Sequence, residues 1–152
     1  MAKVHSIGIA WIAPDDPRMA AVHDLRHEAL MAPFGVARLD FDEAAMPESS
    51  VVVAMLDGVV VGTACLIADP ATTAGHIRLV AVAHTTREGG VGRTLMLAVE
   101  EEARGRGLER LWLNARVSAE GFYHRLGYAT VSEQFTSGRT SLPHVRMERH
   151  LS

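Results

Sequence analysis

The chain has one cysteine, Cys65, so no internal disulfide can staple it. That thiol stands inside the β-branched run Val59 to Ile67, where a cysteine packs as a small hydrophobe. No apolar stretch is long enough to span a bilayer. The start, Met1 to Pro14, has one lysine and an apolar run broken by His5, Ser6 and Gly8, which fits no signal peptide. A cytoplasmic, soluble protein with no membrane partner is expected. A net charge of −3 provides no basic field, so no nucleic acid is expected either. No repeat, linker or low-complexity segment interrupts the 152 residues, and 48% apolar with 22% charged residues is ordinary for a globular protein. One domain over 1–152 is expected, long enough to bury a core unaided.

Three motifs are missing as well. No Gly-Lys-Ser or Gly-Lys-Thr occurs, which excludes a Walker loop. The dinucleotide fingerprint needs a third glycine three residues after its second, and Leu95 stands there after Gly92. His23 and His27 share a helix face as a zinc pair can, but no His-Glu-x-x-His surrounds them and no third ligand is evident. No metal is expected.

What the chain does have is a strand, a glycine turn and a helix in direct succession. His76-Ile-Arg-Leu-Val-Ala-Val82 is followed by the loop Ala83 to Gly89 and by Gly90-Val-Gly-Arg-Thr-Leu-Met-Leu-Ala-Val99. Val91, Leu95, Ala98 and Val99 keep helical spacing, and Gly105 and Gly107 supply stops. The first amides of a helix lack intrahelical partners and carry the positive end of its dipole. Gly89, Gly90 and Gly92 allow an anion close to the backbone, Arg87 adds a guanidinium, and Thr94 adds a hydroxyl. The stretch should hold a phosphate or pyrophosphate.

The other elements follow from local signals. A first strand is expected over 4–12. Pro14-Asp-Asp-Pro17 opens a helix lined by Met19, Val22, Leu25 and Ala29 and ended by Pro33 and Gly35. Residues 36–49 should form a loop with a short helix. Val51 to Leu56 and Val59 to Ile67 make a hairpin about Asp57-Gly58. A helix over 90–104, a strand at 108–115, a short helix at 118–126, a strand at 128–135 and a last strand from His144 to His150 complete the order.

Arg87-x-x-Gly90-x-Gly92 after an apolar strand resembles the acyl-CoA-binding motif of the GNAT superfamily of N-acetyltransferases. Gly121-Phe-Tyr-His-Arg-Leu-Gly-Tyr128 is similar to that family's F-Y-x-x-x-G-F/Y segment, and Asn114 ends a strand as in the family. The matches cover roughly residues 50 to 150 in family order and spacing. The resemblance implies an α/β fold: a mixed, mostly antiparallel sheet of about six to seven strands, about four helices and a splayed central strand pair. It implies acetyl-CoA as co-substrate, with the pyrophosphate on the turn formed by Arg87, Glu88, Gly89, Gly90, Val91, Gly92, Arg93 and Thr94. The pantetheine arm would pair with the backbone of Val80, Ala81 and Val82, opposite Asn114, with Phe122 as packing. The thioester oxygen would meet a backbone N–H of the central strand, that of Val82. Dimers are common in the family, so a homodimer stays open.

Acyl transfer to an amine needs a neutral amine, donors for the thioester oxygen and a proton for the leaving thiolate. Tyr123 occupies the family position for the last role; a phenol of pKa ~10 faces a thiolate whose acid has pKa ~8.5. For the base, His76 opens the central strand where the family often carries a glutamate or glutamine. His144 and a water chain are the alternatives; His84 lies in the turn, closer to the phosphates than to the amine. Asp40, Asp42, Glu43 and Glu48 could attract a cationic amine, and Arg139 could hold a carboxylate. The expected activity is transfer of acetyl from acetyl-CoA to a primary amine of a small molecule. A peptide amine and a non-catalytic acyl-CoA-binding domain are the alternatives.

Overall fold

β-branched and apolar residues in two runs joined by Asp57-Gly58 build the middle of the sheet. In the computed structural model, which describes residues 6–136 and 140–152 without the side chains of Arg87 and Glu88, these runs are β2 (Ser49–Leu56) and β3 (Val59–Ala68). Positive φ at both Asp57 and Gly58 matches the two-residue turn that suits the strand twist. Around them stand β1 (Gly8–Ile12), β4 (Ala74–Val82), β5 (Arg110–Arg116), β6 (Ala129–Thr130), β7 (Phe135–Thr136) and β8 (Pro143–His150).

The eight strands form one sheet in the order β1-β2-β3-β4-β5-β8-β6, with β7 also on β8. Every pair is antiparallel except β4 with β5. The mixed, mostly antiparallel α/β architecture and its splayed central pair are as the resemblance implies. The strand expected over 128–135 is two short pieces. Val131 to Gln134, four residues, oppose only two of β8, and the Ser132 hydroxyl accepts the Arg146 N–H at 2.8 Å where a backbone carbonyl would otherwise serve. Three α-helices are present among the described residues: α1 (Met19–Leu30), α2 (Val91–Gly105) and α3 (Glu120–Arg125). The loop helix expected near 36–49 is one 3₁₀ turn, Glu43–Ala45, in which the Asp42 carboxylate accepts the Ala44 N–H.

The helices divide over the two faces. The larger core lies under α2 and α3 and joins Val52, Leu66, Ile77, Leu95, Val99, Leu111 and Met147. Val22 and Met19 of α1 cover Val51 and Val53 on the opposite face, so strict alternation along β2 feeds both layers. Glu100, buried in α2, accepts from Arg149 at 2.9 Å and from the Tyr128 hydroxyl at 3.2 Å, tying helix to sheet. No helix among the described residues is long and apolar enough to cross a membrane.

Candidate active site between the splayed strands

β4 and β5 run parallel and pair only from Ala74 to His76 against Arg110 to Trp112. Beyond that point β5 keeps its register with β8, Leu113↔Met147 through Arg116↔His144, while β4 stays with β3. The two strands therefore diverge. On β4 the divergence coincides with a bulge: Cys65 pairs with Arg78 and Thr63 with Ala81, so Ala64 alone opposes Leu79 and Val80. Leu79 has φ +55, a left-handed conformation that costs a side-chain-bearing residue roughly 1–2 kcal/mol. The extra residue also shifts the strand's phase, since Ile77 and then Val80 and Val82 pack on the same core. Strain of this kind clusters at active sites and ligand clamps.

The gap is a cleft of about 790 Å³. Ile77 to Val82 form one wall, Leu113 to Arg116 the other, and Tyr123, Ser118 and Ala119 close one end. Leu30, Met31, Val36 and Phe41 overhang it from α1 and the following loop. The facing strand edges carry unpaired backbone groups of the kind an extended ligand can join. Tyr123 is 7% exposed, edge-on to Phe122 at 5.0 Å and to Tyr128 at 5.9 Å. Burial pushes its phenol up to about 12, with Arg116 acting weakly the other way. Asn114 is exposed on the opposite wall.

Past Val82 the chain makes a 3₁₀ segment, His84–Gly89, and turns into α2. Gly90 is the cap, with φ +79, a conformation a Cβ would strain. The first intrahelical bond runs from the Thr94 N–H to the Gly90 carbonyl, which leaves the amides of Val91, Gly92 and Arg93 without helical acceptors. Thr94 does not offer its hydroxyl hydrogen outward; it donates to the Gly90 carbonyl at 2.9 Å. At Gly92 a Cβ would sit 3.1 Å from the Phe122 ring, so that glycine serves contact between α2 and α3. The side chains of Arg87 and Glu88 lie outside the described ones, as does Arg139.

The family model of the acetyltransferase (GNAT) family matches residues 10–128. The chain belongs to this family. An IAA acetyltransferase of Azospirillum brasilense is 33% identical over 94 residues, 60% of this chain and 61% of that protein. A Bacillus subtilis (strain 168) protein named as an acetyltransferase is 31% identical over 75 residues, 49% and 50% of the two chains. The matches thus span only about half to three-fifths of these relatives. The structure of an aminoglycoside 6'-N-acetyltransferase complexed with coenzyme A superposes with a TM-score of 0.79 at 18% identity, covering 95% of this chain and 97% of that one. That likeness concerns the fold.

In this GNAT-family chain the histidines part ways. His76 does not line the cleft. Its ring stacks on Trp112 with centroids 3.6 Å apart, and Arg146 lies over the same indole at 4.0 Å. Burial, with Arg78 and Arg146 nearby, pushes its imidazole down to about 4. It is neutral at pH 7 and a weak proton acceptor. His144 does line the cleft, and its Nδ1 lies 2.8 Å from the Leu142 carbonyl. A carbonyl only accepts, so Nδ1 carries the hydrogen and Nε2 of the neutral ring keeps its lone pair.

The His76 environment makes a stability prediction. The unfolded imidazole titrates near ~6.5 and the folded one near 4, so in between the unfolded chain binds more protons. This contribution is complete above about pH 6.5 and is lost as pH falls toward 4. His76→Phe, which keeps the stack on Trp112 without a titrating group, should flatten the fall of the urea midpoint across that window. A variant as acid-sensitive as wild type would mean that other groups set the slope.

Proposed function

We propose that this protein is an acetyl-CoA-dependent N-acetyltransferase that moves acetyl directly to a primary amine of a small molecule. The observation that carries the reading is the splayed cleft, which sets Tyr123 beside two open strand edges, with the β4 wall running on past Val82 into the turn and the free amides that begin α2. In this reading the pyrophosphate rests on the turn from Arg87 to Thr94, chiefly on the amides of Val91, Gly92 and Arg93. The pantetheine arm runs along Val80, Ala81 and Val82 past Asn114, and Phe122 packs beside it. The amine nitrogen bonds the thioester carbon, the C–S bond breaks with its electron pair on sulfur, and Tyr123 supplies the proton to that thiolate. The ammonium proton leaves through Nε2 of His144 or through water; the position and low proton affinity of His76 suit it less.

The thermodynamics of the acid step are set by burial. A phenol near 12 giving its proton to a solvated thiolate of acid pKa ~8.5 is uphill by about 5 kcal/mol. Burying the sulfur in the same cleft raises the thiolate's proton affinity too, which narrows that gap.

Calorimetric titration tests the reading. Acetyl-CoA and free CoA should bind and ATP and NAD should not, and amines should then release thiol from acetyl-CoA. Gly90 separates charge from conformation. Asn and Asp both tolerate left-handed φ better than most residues, but only Asp brings a charge to the pyrophosphate. Gly90→Asp should bind acetyl-CoA roughly 100-fold more weakly than Gly90→Asn, from about 3 kcal/mol of partly screened repulsion. Equal affinities would remove this turn from the cofactor site.

A further inference from the structure

Resting on that proposed transfer, we infer that the acceptor amine also carries a carboxylate, and that Arg78 receives it. The cleft lining includes no aspartate or glutamate among the described residues, while Arg78 and Arg116 both line it. The acidic residues that the sequence offered for attracting a cationic amine are occupied or elsewhere. Glu43 is buried against Arg26, Asp40 is paired with Arg38 at 2.9 Å, Asp42 caps a turn, and Glu48 is exposed away from the lining. A polycation would enter a cleft of its own sign.

Arg78 is the distinctive group. It is half-buried on β4 at the edge of the bulge, and among the described residues its side chain makes no hydrogen bond or ion pair. None of its guanidinium nitrogens is buried without a partner, so the head group stays open to the cleft, and a carboxylate can take it with two parallel hydrogen bonds. Across the cleft Arg116 is positioned by donating to the Leu30 carbonyl at 3.0 Å and by stacking over Phe34 at 4.3 Å, so the wall facing Arg78 is positive as well. His76, two residues before Arg78 on the strand, has its proton affinity lowered first by burial and then by the charges of Arg78 and Arg146. Leu30, Met31, Val36 and Phe41 add an apolar overhang. Together they fit a small amino acid or amino-acid-like amine with an apolar side chain.

The test compares L-leucine and L-phenylalanine with their carboxamides as acetyl acceptors. The amide's amine is the more readily neutral at pH 7, so the decisive number is the change in the acid-to-amide ratio of kcat/KM on mutation. Arg78→Gln should lower kcat/KM for the acids roughly 10- to 100-fold and leave the amides within about 2-fold, from loss of one charge-assisted pair. Arg78→Lys should restore part of the ratio, which a merely structural arginine would not predict. Acetyl-CoA affinity should be unchanged in both variants. An unchanged ratio, or acetylation of amides but of neither acid, overturns the carboxylate assignment while leaving the transfer reading intact if acetyl-CoA still binds. Failure of wild-type protein to bind acetyl-CoA overturns both.

Discussion

Glu43→Ala should destabilise the fold by about 3–5 kcal/mol, a large fraction of the roughly 5–15 kcal/mol that holds a domain of this size. Glu43 is 4% exposed and Arg26 is fully buried, and the two form an ion pair between α1 and the 3₁₀ turn that follows it. The geometry leaves no slack. The bond joins Nη1 to Oε1, and Nε and Nη2 of Arg26 and Oε2 of Glu43 have no hydrogen-bond partner among the described residues. Deleting the carboxylate would therefore strand a guanidinium out of water with nothing to replace it. The opposite expectation holds for the pair as a unit: Arg26→Met with Glu43→Leu should recover most of the loss, because neither charge then pays for desolvation. Urea midpoints of the wild type, the single variants and the double variant measure this cycle. If the costs of Arg26→Met and Glu43→Leu, each made alone, simply add in the double variant, the pair is not what joins the turn to α1. The consequence reaches function, since the guanidinium also lies 5.7 Å from the Phe41 ring, and Phe41 and Val36 of the same segment overhang the cleft.

That pair was not legible in the sequence, and the reason is general. Glu43 reads as one of four carboxylates in a polar loop, and nothing local distinguishes it from Asp40 or Glu48. Its partner is 17 residues away on a helix whose periodic positions are apolar, so Arg26 reads as a solvated face. Glu100 is the same case, a charge within α2 whose partners Tyr128 and Arg149 arrive from later elements. What was legible is what local chemistry decides: the Asp57-Gly58 hairpin, the amphipathic spacing of α2, and the glycine turn before it. The bulge in β4 lies between these extremes. The chain Arg78-Leu-Val-Ala reads as an ordinary strand, and Leu79 carries no sign of its left-handed conformation, which is imposed by β3 on one side and the departing β5 on the other. The resemblance placed a splay here, but the residue that makes it was visible only once the register was known. Which of His76 and His144 lines the gap was likewise hidden, since both stand near strand ends and only the fold places His144 there.

Tyr123→Phe should lower kcat by roughly 10²- to 10³-fold and leave the affinity for acetyl-CoA unchanged. The substitution removes only the hydroxyl. The ring keeps its edge-on contacts with Phe122 and Tyr128, so no cavity opens and the cleft wall stays in place. In the proposed reading the hydroxyl is the proton donor for the leaving sulfur, and without it the thiolate would have to depart bare into the cleft. The pH profile gives the assignment a second, independent check. Because burial holds the phenol near 12, it stays protonated throughout the range in which the protein can be assayed. Its ionisation therefore adds no alkaline limb below about pH 10, and kcat should rise with pH to a plateau as the amine and its acceptor lose protons. A wild-type decline centred near pH 9 that vanishes in Tyr123→Phe would show a phenol far more acidic than its burial allows. Unchanged turnover in the variant would take Tyr123 out of the chemistry, leaving water or the amine itself to protonate the sulfur.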